Sequence, residues 1–149
     1  MRDTMITGFT ISKVEGKIED AESLAKQRFP RLNINLDNVS AKGEKVNVEY
    51  TFVADYYDSE GASAKNIGKI TLSGFIEISE SKNAIDGIIK KWNDSHTLPV
   101  KLAEEVINGL NFRCSATGTL VAYSLGLIPP LVISATKIEE PKGGATTSG

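Results

Sequence analysis

The sequence predicts an α+β fold in which strands come first and helices follow. Three observations point that way. Residues 45–57 and 67–79 alternate apolar and polar side chains along most of their length, the period of a half-buried strand. Beyond Ser81 the period changes, and Ile85, Ile88, Ile89 and Trp92 recur at helical spacing. The chain has 149 residues, 40% of them apolar and 24% charged, the proportions of one ordinary globular domain able to build its own core.

Taken in order, residues 5–14 read as a first strand, anchored by Ile6 and, after Gly8, by Phe9, Ile11 and Val14. A short helix is expected over 18–28, ended by Phe29-Pro30 because a residue before proline avoids the helical region. Residues 32–39 alternate, with Leu32, Ile34 and Leu36 on one face and Asn33, Asn35 and Asp37 on the other. Along 45–57, Val46, Val48, Tyr50, Phe52, Ala54 and Tyr56 share a face. The polar stretch 58–66 joins this strand to 67–79 as a long antiparallel hairpin, with Gly68 and Gly74 expected to mark bulges or bends. Ser81 is a candidate N-cap for a helix over 82–93. After a link at 94–97, Pro99 starts one long helix or two, with a stripe formed by Leu102, Val106, Ile107, Leu110 and Cys114. Ser115, Gly118, Thr119 and Ala122 form a second, small-residue face suited to close approach by another helix. Gly126 is a natural C-cap, and Pro129-Pro130 forbid the helix to continue, so the apolar run after it should leave in extended form. The expected domain spans 1–138, and the Gly/Thr/Ser-rich residues 139–149 read as a disordered tail.

Several function classes are disfavoured. The net charge is −2 and no block of like charges occurs, so a nucleic-acid footprint is not expected. The run 114–134 is broken by Gly118, Gly126 and two prolines, so membrane insertion is not expected either. The first residues hold no apolar core of a signal peptide, and Cys114 is the only cysteine, so a cytoplasmic protein without an intrachain disulfide is expected. One histidine and one cysteine make a transition-metal site very unpromising, and no glycine pattern matches a phosphate loop. No cofactor and no metal are expected. His96 lies in a link beside Asp94 and Ser95, which is no catalytic triad, and Cys114 falls on an apolar stripe where a thiol packs as a small hydrophobe. The carboxylate pairs Glu19-Asp20, Glu104-Glu105 and Glu139-Glu140 fall on polar faces or in the tail. No catalytic residue stands out, and the expectation is a non-enzyme.

What stands out is the aromatic character of 45–57, where Tyr50, Phe52, Tyr56 and Tyr57 follow one another along a long strand. Two readings remain open: a core face packed on the helices, or apolar surface in excess of what the helices cover, available to another chain.

The order of elements, with KITLSGFIEIS as last strand, LPVKLAEEVINGL as a proline-led helix and LGLIPPLVI as a proline-broken apolar exit, resembles the SecB-like chaperones, and is most similar to those of archaea. The resemblance covers roughly 5–138. It implies a four-stranded antiparallel sheet followed by C-terminal helices packed on it, assembly as a homo-oligomer (a dimer or a dimer of dimers), and ATP-independent holding of unfolded or non-native polypeptides. It further implies a place in protein export for some members and protection of an antitoxin for others. The acidic docking surface for the export motor is not clearly reproduced; Glu44, Glu49 and Asp55 are the acidic residues at the long strand. On this reading the candidate client contacts are Val46, Val48, Tyr50, Phe52 and Tyr56, with Leu127, Leu131 and Ile133, some of them necessarily core. The candidate oligomer contacts are Ser115, Gly118, Thr119 and Ala122. The competing readings are a non-catalytic module binding one folded partner or a small hydrophobic ligand, and an enzyme using His96 with an acid.

Overall fold

The computed structural model describes residues 5–131. Strand β1 (Met5–Ile18) comes first, followed by a 3-10 helix (Ala21–Lys26). Strands β2 (Arg31–Lys42), β3 (Lys45–Tyr57) and β4 (Asn66–Ser79) form two successive hairpins. Helices α1 (Lys82–Ser95) and α2 (Val100–Leu125) complete the described chain. The strands make one antiparallel sheet in the order β1-β4-β3-β2, so the connection between β1 and β2 crosses from one edge to the other. Both helices lie on one face, α2 on β1 and β4 and α1 on β2. The expected α+β fold, a four-stranded antiparallel sheet followed by helices packed on it, is what the structure contains.

Period two places Val46, Val48, Tyr50, Phe52, Ala54 and Tyr56 beneath the helices, together with Ile70, Leu72, Ile76 and Ile78 of β4. The outer strands keep an apolar face only by inserting extra residues. Ile6 to Phe9, Ile11 to Val14 and Leu36 to Val39 are each three apart, which in a regular strand would put the two members on opposite faces. Register shifts between Ile6 and Gly8, between Ile11 and Lys13, and between Leu36 and Asn38 correct the phase. A further shift lies between Tyr56 and Tyr57, where Ile67 is the extra residue of β4, so the irregularity expected at Gly68 is present, while no shift of β4 falls at Gly74. Gly74 has another use. It lies opposite Tyr50 on one side and Ile11 on the other, and the Tyr50 hydroxyl donates across it to the Thr10 carbonyl at 2.9 Å. A Cβ on Gly74 would run into that carbonyl.

Ser81 caps α1 by accepting from the Ala84 amide at 3.3 Å, and Ile85, Ile88 and Trp92 point into the core. α2 is one uninterrupted helix of 26 residues, ended by Gly126 in the left-handed region at φ 75°. The short helix expected over 18–28 is instead a six-residue 3-10 turn, and β1 runs to Ile18 because β4 offers partners up to Gly68. Pro129-Pro130 stop the helix as expected, but the exit is not extended throughout. The Leu131 amide closes on the Pro129 carbonyl at 3.0 Å, a tight turn about Pro130. The expected tail at 139–149 lies outside the described residues.

Candidate polypeptide-binding and assembly surface

The structure sorts the candidate contact residues into core and surface. Val46, Val48, Phe52 and Tyr56 have no exposed surface and Tyr50 almost none, so these five are core side chains. The expectation that β3 carries apolar surface beyond its own helices is corrected: the central strands are covered because α1, α2 and the exit after α2 all lie over them. Leu127 is buried too, Leu131 is 51% exposed, and Ile133 lies outside the described residues.

The small-residue face of α2 is likewise turned inward. Ser115, Gly118 and Ala122 are buried, and Thr119 is half-buried with its hydroxyl donating to the Ser115 carbonyl at 2.7 Å. Gly118 meets Pro130, whose ring lies where a Cβ would stand. Close approach is the correct reading of that face, but the approaching group is this chain's own exit segment. This corrects the assignment of Ser115, Gly118, Thr119 and Ala122 to an oligomer contact.

Exposed apolar surface appears on another side of α2. Phe112 is 75% exposed, Leu120 70% and Tyr123 79%, with Ala116 exposed between them. The spacing of 112, 116, 120 and 123 puts them on one helix face. The sequence held this signal: Phe112 and Leu120 fall outside the Leu110–Cys114 stripe, at a spacing of two helical turns. Val14 and Phe29 are also about half exposed. Beside this row, Phe9, Ile11, Phe112, Arg113, Ala116 and Thr117 line an open depression of about 380 Å³ between β1 and α2. Arg113 holds its guanidinium 4.6 Å from the centre of the Phe9 ring, so the depression has an apolar floor and a cationic rim.

The sheet face away from the helices is polar and carries both signs of charge. Lys45 pairs with Glu77 at 3.4 Å and Lys69 with Asp55 at 3.7 Å. A shallow depression of about 690 Å³ there is lined by Glu15, Lys17, Glu19, Asp55 and Lys69 among others. Tyr57 belongs to this face and not with Tyr56; the Arg31 guanidinium stacks on its ring at 4.1 Å.

The end of α2 is tied to the segment between β1 and β2. The Gln27 side-chain amide donates to the Gly126 carbonyl at 2.9 Å and to the Leu24 carbonyl at 3.0 Å. Its oxygen accepts from the Ile128 amide at 2.7 Å. The Tyr56 hydroxyl donates to the Ile128 carbonyl at 2.6 Å. Burial pushes the Tyr56 phenol well above its ordinary range, and the Tyr50 phenol up to about 12.

His96 is exposed at the left-handed C-cap of α1, with its ring edge-on to Trp92 at 5.4 Å. The Asp94 carboxylate, the acid next to His96 in sequence, is engaged by Lys90 at 3.2 Å. Cys114 is buried, and desolvation pushes its thiol up to about 12. Two outcomes follow. A thiol reagent at pH 8 should label Cys114 only after denaturation. Because the folded-state values of Cys114 and Tyr50 lie above their unfolded ones, their contribution to stability is intact below about pH 9 and should fade as the pH rises toward 12. A melting series from pH 8 to 11 that stays flat would contradict this. Among the described residues no cluster of three or more His, Cys, Asp or Glu side chains is placed to hold a metal. No helix of the described residues is long and apolar enough to cross a membrane.

This architecture is a SecB-like fold. The described sheet order and the two C-terminal helices superpose on the SecB-like chaperone Rv1957 of Mycobacterium tuberculosis, solved in complex with a ChAD peptide from the Rv1956 HigA1 antitoxin. The TM-score is 0.61 over 93% of each chain, at 9% identity. No protein-family model matches the chain, and no curated protein matches it in sequence.

Proposed function

We propose that this chain is a SecB-like, ATP-independent holdase that captures non-native polypeptide. The observation that carries the reading is the likeness in fold, over nearly the whole chain, to a chaperone solved with a bound peptide. The described surface agrees with it: large apolar side chains stand in solvent on α2, and the Cys114 thiol is buried in the core. A holdase works by covering apolar segments of another chain, which calls for surface of this kind and for no reacting group.

The reading includes assembly into a homo-oligomer, a dimer or dimer of dimers, through the Phe112–Leu120–Tyr123 face. Three large apolar side chains in one row are the kind of surface that another chain covers, and one helix face meeting its own copy suits a two-fold interface. It also takes residues 1–138 as one domain, a cytoplasmic location, no cofactor, and kinship nearest the archaeal SecB-like proteins. A role in protein export belongs to the same reading.

The direct test is aggregation of a chemically unfolded protein followed by light scattering. An equimolar amount of this chain should suppress most of the scattering with no nucleotide present. Unchanged aggregation at a severalfold molar excess would end the holdase reading.

A further inference from the structure

Residues 126–131 form a strap whose attachment is unlike that of the rest of the fold. The strands are held by main-chain ladders, but the strap beyond the helix cap is held by side chains. Gln27 and Tyr56 between them bind both the N–H and the C=O of Ile128. Pro129 and Pro130 have no N–H to offer, and the Leu131 amide is spent on the Pro129 carbonyl. Side-chain contacts add to the attachment: Leu127 is buried near Gly68, Ile128 packs against the core, and Pro130 rests on Gly118. Gly126, in its left-handed conformation, is the hinge where helix becomes strap.

We propose that the strap is the cis occupant of a polypeptide-binding cleft, and that an extended apolar segment of another chain displaces it. The inference rests on the polypeptide-binding reading and names the place. Gln27 and Tyr56 read a peptide unit, which every polypeptide presents, so their grip is indifferent to sequence. The Leu127 and Pro130 seats accept apolar side chains of ordinary size. Lifting the strap removes Pro130 from Gly118 and the Ile128 carbonyl from Tyr56, and so frees the hydroxyl of Tyr56, one of the residues that the sequence singles out for contact. The occupant is an extended, apolar, uncharged segment, because the strap itself is one: between Leu125 and Leu131 it has no charged residue.

The test uses the full chain and a labelled synthetic peptide of residues 125–133, its binding read by fluorescence anisotropy. Leu127→Ala with Pro130→Ser weakens the strap and leaves Gln27 and Tyr56 in place. Peptide affinity should then rise about tenfold, since a larger fraction of molecules has the cleft open. An affinity that is unchanged or lower in the strap variant overturns the proposal. Should the strap variant fail to fold, amide exchange in the unmutated chain decides. The Ile128 amide should exchange faster than those of Phe52 and Leu72, and equal rates would mean that the strap never opens on its own. These results are independent of aggregation suppression. A chain that suppresses aggregation with the strap immobile keeps the holdase reading and loses this one; a chain that binds the peptide but leaves aggregation unchanged does the reverse.

Discussion

On the proposed assembly through α2, Phe112→Asp combined with Leu120→Asp is expected to leave the protein monomeric. Both side chains are mostly in solvent on the isolated chain, at 75% and 70%, so the fold should lose little, within about 0.5 kcal/mol. In a two-fold interface each side chain is used twice, and each burial contributes roughly 1.5–3 kcal/mol. Removing all four contacts and placing carboxylates there should weaken association by at least about a thousandfold, which follows from a loss of about 4 kcal/mol or more. Light scattering would give the mass and a thermal melt would report the fold. If the double variant keeps the parent's oligomeric mass, α2 is not the interface; if the parent is already a monomer at high concentration, the assembly reading fails with it.

Gly74→Ala is expected to be the most damaging single methyl that can be added to the sheet. The new Cβ points at the Thr10 carbonyl, main chain that cannot swing aside as a side chain can. That carbonyl also accepts the buried Tyr50 hydroxyl, so moving β1 away breaks a second interaction. The expected cost is about 3 kcal/mol or more, the upper range for overpacking. For a chain of this size that lowers the melting temperature by about 6–12 °C. Tyr50→Phe, which removes only the hydroxyl, should cost about 1 kcal/mol. A Gly74→Ala variant within 0.5 kcal/mol of the parent, roughly the noise of a surface substitution, would show that β1 yields freely at this point.

Strand β3 was readable to the residue, because Lys45–Tyr57 is buried on one face along its whole length and alternation reports that directly. The caps of both helices were readable for a similar reason: Ser81 and Gly126 act through local chemistry, a hydroxyl reaching an amide two turns' worth of chain away at most and a backbone at positive φ. The 3-10 turn was not, since Asp20 makes no side-chain cap on it and its geometry follows from spanning the sheet between distant edges. The end of β1 was missed because Glu15, Gly16 and Lys17 show no alternation; they are strand because β4 holds them. On α2 both faces were visible as patterns, small residues on one and Phe112 and Leu120 on another, but nothing local says which faces the sheet. Gly118 faces inward because Pro130 folds back on it, a contact between residues that only the completed chain brings together.

By itself, the order of residues determined the fold class, the strands of the central hairpin, and the caps at Ser81 and Gly126. These follow from periodicity, capping and composition, which act over a few residues or over the chain as a whole. Only the tertiary structure decided that β3 is wholly core, that the small-residue face of α2 serves the strap, and that Phe112, Leu120 and Tyr123 are left in water. Burial is a property of what packs on top, and a strand or helix carries no local record of which of its faces another segment will cover.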